Sequence, residues 1–371
     1  MSHMKRCMIG FALSSALLLV AARVYAATLY VDIVTGSDAA GTGSAAQPFR
    51  TIGRGLHAAV GGDTVLVRTG LYDAGHGERF PIQMKHGVVL HGIGFGARRA
   101  AGPDGRLYGL PVIHGGRSIV IDSAGTRRCV AVLGANATFS QFVVFAASSA
   151  AGVDDGVGVL CRNVSPSIRD NRFRGDGYAG VTILESAAPV VRRNSFYGDD
   201  LTWGVTVHGS GASVVLENRI NSANGVDVTQ QARPYVKKNK VTCLHLGIRV
   251  QNQARPEIYA NSIYGNGSHG LALYNASTPS IHDNEIIKNG HRDHRAGILA
   301  AHHARPDLGG GAMRSPGLNV IRDNHDWDIM NRTPHVVLAR FNTWTHAAPA
   351  DIDLEDIFDD DEAPGFGPVI Y

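Results

Sequence analysis

Gly225-Val-Asp-Val-Thr-Gln-Gln-Ala-Arg-Pro234-Tyr-Val-Lys-Lys-Asn239 is echoed by Gly247-Ile-Arg-Val-Gln-Asn-Gln-Ala-Arg-Pro256-Glu-Ile-Tyr-Ala-Asn261. The shared frame is Gly-x8-Pro-x4-Asn. It also fits Gly180, Pro189 and Asn194, then Gly270, Pro279 and Asn284. With Ser213 in the proline position it fits Gly204 and Asn218. Internal spacing is constant across these five units, and the step from each Asn to the next Gly is 10, 7, 8, 9 and then 13 positions, ending at Gly297. Upstream, Pro166 and Asn171 keep the frame, while Gly156 is one position out.

Each unit reads as three short strands. After the Gly comes V-T-I, V-T-V, V-D-V, I-R-V or L-A-L, the alternation of a strand with one buried face. The Pro opens a second strand, where its missing N–H is tolerated. The Asn is assigned a tight turn, because Asn accepts the left-handed region. A third strand begins with Phe173, Phe196, Ile220, Val241, Ile263 or Ile286. A period of 21–24 residues with three strands fits a parallel β-helix. Its coils stack about 4.8 Å apart, so the asparagines from Asn171 to Asn284 would form one ladder. A β-sandwich needs no fixed Asn period. The expected fold is therefore all-β, a single solenoid of about ten coils.

The series continues less regularly. Asn319-Val-Ile-Arg-Asp-Asn324 mirrors Pro279-Ser-Ile-His-Asp-Asn284, which makes His302 to Gly317 an inserted loop around Gly309-Gly310-Gly311. Asp328 to Asn342 reads as the last coil, closed by Trp344. A solenoid exposes its core at both ends and needs caps. Thr51 to Val60 reads as a short amphipathic helix with Ile52, Leu56 and Val60 on one face. Residues 346–371 read as a C-terminal cap, with apolar Ile352, Leu354, Ile357 and Phe358 among eight acidic residues in 351–362. The acidic run is expected to be a solvated edge that blocks end-to-end stacking.

Residues 1–26 read as a secretory leader: Lys5 and Arg6, an apolar Met8 to Ala22, then Val24-Tyr25-Ala26 before the cut. Residues 27–115 would hold the N-terminal cap and first coils, and 116–345 the repeats. Removing the leader takes away Lys5, Arg6 and Arg23, so 35 basic against 32 acidic residues becomes 32 against 32. A neutral chain offers no global field for nucleic acid. Cys129, Cys161 and Cys243 remain, an odd number, so disulfides cannot frame the fold. No organic cofactor, no membrane span in the mature chain and a secreted or periplasmic monomer are expected.

The opening residues carry a resemblance. Leu29-Tyr-Val-Asp32, Gly36-Ser-Asp38, Gly41-Thr-Gly43, Pro48-Phe-Arg-Thr-Ile52, Gly62-Asp-Thr-Val-Leu-Val-Arg68 and Gly70-Leu-Tyr72 resemble the N-terminal module of secreted bacterial pectin-lyase-like proteins. They look most like a family of unassigned function, and are similar to the opening of the ninth polysaccharide lyase family. The resemblance covers nearly the whole mature chain. It implies a right-handed helix and a ligand groove along the first strands. These helices host lyases, hydrolases, epimerases and non-enzymatic binders.

The frame places Thr182, Thr206, Asp227, Arg249 and Ala272 in one outward row, and Leu184, His208, Thr229, Gln251 and Tyr274 in the next. Glu185, Gln230, Asn252, Asn275 and His302 follow at the edge. Asp227 and Arg249, one coil apart, should touch. With His208 they are the candidate catalytic residues. Glu185, Gln230, Gln251, Asn252, Tyr274 and Asn275 are the candidate sugar contacts. Asp176 and Asp199 each lie five residues after a ladder Asn, with Asp200 adjacent and Asp154 and Asp155 one coil earlier. Such carboxylates repel unless a cation joins them, and Ca²⁺ favours these oxygens. Gly175-Asp-Gly-Tyr-Ala179 and Gly198-Asp-Asp200 resemble calcium-binding stretches of the ninth lyase family. That family's further aspartate is here Trp203, and its base has only Arg249, Lys237 and Lys238 as counterparts.

Other chemistries fit less well. The paired aspartates with Gly-His-Gly of pectin hydrolases are absent, as is the Asp-Pro-His-Asp of alginate epimerases. His302-His303 reads as a solvated loop, and Gly92-Ile-Gly-Phe-Gly96 as turn glycines without a following helix. The expected function is action on a polysaccharide, with calcium-dependent β-elimination of a uronic-acid polymer foremost. Non-catalytic glycan binding is the alternative.

Overall fold

A computed structural model describes residues 26–115, 119–122, 125–146, 156–292 and 295–371, with backbone alone for 119–122 and 125–128. Residues 1–25 of the expected leader, and the candidate loop residues Asp154 and Asp155, lie outside the described residues.

The chain winds as a parallel β-helix. The second strands form one parallel sheet of 13 rungs, from Thr28–Val31 to Val369–Ile370. First strands pair in parallel from Ile82–Gln83 through Gly125–Val132, Gly156–Arg162 and Ala179–Glu185 to Ile357–Phe358. Third strands pair from Leu71–Tyr72 to Val320–Arg322. In Ser195–Gly209 and Arg219–Thr229, a third strand runs directly into the next first strand. The 13 rungs exceed the ten or so coils expected, because both termini add strands.

Strand alternation fills the interior. Val205, Val226, Ile248 and Leu271 stack in register and are fully buried. Phe173 stacks on Phe196 with ring centroids 4.9 Å apart. Each such side chain contributes about 1.5–3 kcal/mol by leaving water. The frame glycine is imposed by close approach. A Cβ on Gly225 would lie 2.1 Å from the carbonyl oxygen of Gly247 in the next coil.

The asparagine ladder forms and extends beyond the expected six. Each ladder Asn donates its backbone N–H and its Nδ2 to the Oδ1 of the Asn one coil on, from Asn171 through Asn284 to Asn319 and Asn342, at 2.9–3.1 Å. The left-handed residue is the one before the ladder Asn. Asp170, Arg193, Glu217, Lys238, Ala260 and Asp283 have φ between 52° and 60°. The Asn is there for its side chain, not for its backbone.

A second ladder lies five residues further on. Asn266 donates to Asn289, and Asn289 to Asn324, at 2.8–3.1 Å. This corrects the downstream alignment: Asn319 continues the first ladder after Asn284, and Asn324 belongs to the second. His302 to Gly317 is likewise not one loop. Asp307–Gly309 is a second strand that pairs with Ser280, so the Gly297-to-Pro306 spacing keeps the frame. Only the stretch just before Asn319 is inserted. The coil ending at Asn342 is not the last, since Ile357–Phe358 and Val369–Ile370 add further strands.

At the N-terminus, helix Ile52–Ala58 forms with Thr51 as N-cap. Glu78 also receives the N–H groups of Ile52 and Gly53, at 2.7 and 2.9 Å. Ile52 and Leu56 join the core, but Val60 is exposed. At the other end Ile352 and Ile357 are buried, whereas Leu354 is 70% exposed. The acidic run is not purely a solvated edge. Asp356 is buried against His346, with Nδ1 at 2.8 Å, and Asp359 receives the N–H of Val369 at 2.6 Å. Among the described residues no helix is long and apolar enough to cross a membrane.

Asn239→Ala would remove the acceptor used by Asn218 and strand its buried donors. Unsatisfied buried groups cost about 1–3 kcal/mol each, so chemical denaturation should show a loss of roughly 3 kcal/mol. Asp328 ends the second ladder, taking Asn324 Nδ2 at 2.8 Å and Thr345 Oγ1 at 2.9 Å. Burial outweighs those bonds and lifts its carboxyl from 3.8 to about 6. The folded protein thus holds a proton that the unfolded chain releases, and stability falls as pH rises from about 4 to 6. Comparing the wild type with Asp328→Asn, this pH-dependent difference should reach about 3 kcal/mol at most. Parallel pH profiles for the two proteins would contradict it.

Candidate functional site

Register builds the site. The outward column of the first-strand sheet runs Leu160, Thr182, Thr206, Asp227, Arg249, Ala272 and Leu299. The neighbouring column places Leu184 beside His208 and His208 beside Thr229. Both columns match the sequence expectation. Outward does not mean exposed, however. Thr182, Thr206 and Ala272 are fully buried, and Asp227 is 1% exposed.

Two apolar clusters lie on this outer face. One gathers Cys129, Val157, Leu160 and Leu184 with Tyr178. The other gathers Leu299, Ala301 and Met330 with Tyr274 and Trp327. The polar stretch lies between them, with Thr206 donating to Thr182 at 3.0 Å.

Arg249, Asp227 and His208 come together at its centre. Arg249 Nε donates to Asp227 Oδ1 at 2.8 Å, and Nη2 to Oδ2 at 3.0 Å. The guanidinium stands 4.5 Å from the ring centroid of Trp203, a cation–π distance. His208 Nε2 is 3.5 Å from Asp227 Oδ2, at the limit of hydrogen bonding, and is otherwise unpartnered among the described residues. Burial works to raise the Asp227 carboxyl, but His208 and Arg249 outweigh it and hold the group below the usual carboxylate range. Burial works against the charge of Arg249, and Asp227 outweighs that too, so the guanidinium is held even more firmly protonated than usual. This corrects the role of Arg249. A cation doubly bonded to a buried carboxylate is a fixed charge, not a base.

The candidate sugar contacts separate. Glu185, Gln230, Asn252 and Asn275 occupy the corner after the first strand, each with φ between 52° and 60°. Backbone geometry there accounts for part of their amide character. Asn252 Nδ2 bonds Thr229 Oγ1 at 2.9 Å, and Asn275 Nδ2 bonds Asn252 Oδ1 at 3.0 Å, giving a polar rail along the rim. Glu185 is tied to Asn163 and lies 3.5 Å from Arg162. Gln251 and Tyr274 are half-buried beside the groove, and the Tyr274 ring is 5.7 Å from that of His302. A cleft of about 400 Å³ adjoins the polar stretch, lined by Asn224, His245, His269, Tyr274, Arg295 and Leu299.

Sequence reasoning missed Tyr178 and Arg295, and treated Trp203 only as a lost aspartate. Trp203 pairs in register with Ala179 and Asn224, so its signal was an aromatic beside a frame glycine.

The aspartates do not converge as a group of three. Asp176, Asp199 and Asp200 are exposed, and only Asp176 and Asp200 line a shared cavity of about 410 Å³, together with Asp104, Arg174 and Tyr197. Among the described residues, no three His, Cys, Asp or Glu side chains are placed to hold a metal. Calcium takes roughly six to eight oxygens, from carboxylates, backbone carbonyls and water. Lys237 lies apart on the second-strand sheet, 5.4 Å from the Tyr259 ring. Cys129, Cys161 and Cys243 are free and buried, and burial pushes their thiols up.

Fold and groove define a parallel β-helix with a buried ion pair on its first-strand face. Residues 34–351 match the family described as Protein of unknown function (DUF1565), and the chain belongs to that family. No curated protein matches the sequence. Similar solved structures include the GH136 lacto-N-biosidase from Eubacterium ramulus, 12% identical over 93% of this chain and 67% of that one, with a TM-score of 0.43. A double mutant of the periplasmic alginate epimerase AlgG is 14% identical over 83% and 75%, with a TM-score of 0.46. The AlgE4 A-module, a mannuronan C-5 epimerase of Azotobacter vinelandii, is 14% identical over 85% and 92%, with a TM-score of 0.35.

A double-mutant cycle on Asp227→Ala and Arg249→Ala should give a coupling of about 2 kcal/mol at pH 7. The Asp227 pKa is lowered in the folded state, so the coupling is present at neutral pH and disappears as acid protonates the carboxylate. Denaturation at several pH values measures it. A pH-independent coupling would contradict the assignment.

Proposed function

We propose that the protein binds an acidic polysaccharide along the first-strand face and breaks it by β-elimination at a uronate residue. The observation that carries this is Arg249. Its Nε and Nη2 are fixed by the buried Asp227, while Nη1 bonds no other group among the described residues. A guanidinium so oriented suits a substrate carboxylate. Charge pressed against that carboxylate also stabilises the carbanion formed when the C5 proton leaves. His208, whose Nε2 lies 3.5 Å from Asp227 Oδ2, is assigned that proton. The electron pair then forms the C4–C5 double bond as the glycosidic oxygen departs from C4. Tyr178 and Tyr274, both half-buried, offer ring faces for the sugars. The leader-like residues 1–26 support action outside the cytoplasm.

Both oxygens of Asp227 are occupied by Arg249, and this closure favours one second reading: a glycan-binding protein without turnover. Oligomers of pectate, alginate and glycosaminoglycans, with and without calcium, distinguish the two. Elimination yields an unsaturated, ultraviolet-absorbing product. His208→Ala should cut turnover by about 10²–10⁴-fold and keep binding, whereas Arg249→Gln should weaken binding itself. Binding without product on any polymer supports the second reading, and absence of both would sink the two together.

A further inference from the structure

Another cleft lies on a different face. It holds about 620 Å³ on the outer side of the second-strand sheet, under the insertion that carries Gly311 and Met313. Arg233, Arg255 and Arg305 line it. Each is the residue before a frame proline, so they recur at one position of the repeat. Backbone bonds show the stacking: Arg255 N–H reaches Ala232 O at 2.8 Å, Thr278 N–H reaches Ala254 O at 2.9 Å, and Arg305 N–H reaches Ser277 O at 2.8 Å. Arg233 and Arg255 are thus one coil apart and Arg305 two coils further, with each coil rising about 4.8 Å.

Surface arginines in this protein are commonly paired, as Arg193 is with Asp170 and Arg192 with Glu217. These three are exposed, and among the described residues they make no ion pair or side-chain hydrogen bond. The acids at the cleft do not answer them. Asp307 is buried, and the N–H groups of Gly309, Gly311, Met313 and Ser315 occupy its oxygens at 2.9–3.3 Å. Glu257 faces His282 at 3.2 Å. The remaining walls combine the hydroxyls of Thr278 and Ser280 with apolar side chains, of which Met313 is 37% and Val336 52% exposed.

From these features we infer that the cleft is a second, non-catalytic site for an anionic oligosaccharide lying across the coils. Periodic guanidiniums take the carboxylates, and the apolar wall of Met313 and Val336 takes the sugar faces. The site holds the polymer while the Arg249 face works on another stretch of it, and its binding does not depend on turnover there.

The test uses full-length protein with Arg249→Gln as the background, so that loss of the first-strand site and loss of this one are read separately. Calorimetry with an oligouronate should still show one binding event. Adding Arg233→Gln, Arg255→Gln and Arg305→Gln, all exposed positions, should weaken it by about tenfold or more, from three exposed charge contacts. Affinity should fall with added salt. The inference is overturned if the added substitutions leave affinity unchanged. It is overturned equally if a neutral oligosaccharide of the same length binds as well, or if inorganic sulfate at equal concentration displaces the ligand completely.

Discussion

The shared asparagine amide is the interaction on which the rest depends. Each ladder Asn bonds the coil before it and the coil after it at once, through one oxygen and two donors. A coil cannot gain or lose a residue between Gly and Asn without breaking bonds in its neighbours. Buried amides left unpaired are costly, so the spacing is held. Tolerance to length is pushed to the corner after the Asn, and in one coil to the insertion before Asn319.

That constraint positions the chemistry. Fixed spacing keeps side chains in register across coils, so Arg249 falls directly over Asp227. The carboxylate of Asp227 is buried there, at 1% exposure. In that setting an unpaired charge would be expensive, and the bidentate pair is what lets Asp227 remain ionised. The same partnership fixes the direction in which Arg249 can offer its remaining N–H groups. Packing on the outside of the solenoid therefore decides what the groove can recognise.

Much of this was legible in the residues because the repeat is a ruler. Gly, Pro and Asn at constant spacing revealed the strands, the first ladder and the outward columns. The second ladder was less visible, since its members sit beyond the Asn and only Asn266, Asn289 and Asn324 keep the amide. Turn geometry was misassigned because the side chain that recurs is not the residue with positive φ. The stacking of Arg249 on Trp203 was not legible, because Trp203 arrives from a segment of variable length. Of the three candidate calcium carboxylates only Asp176 and Asp200 share a cavity, because equal distance from a ladder Asn aligns backbones without turning exposed carboxylates toward one point.

The central claim is that the Arg249 face recognises a substrate carboxylate. A crystal structure of the full-length protein with a bound oligouronate tests it most directly. The account predicts a uronate carboxylate within hydrogen-bonding distance of Arg249, with its sugar rings between Tyr178 and Tyr274. An oligouronate that saturates the protein in solution yet leaves that face empty would contradict it.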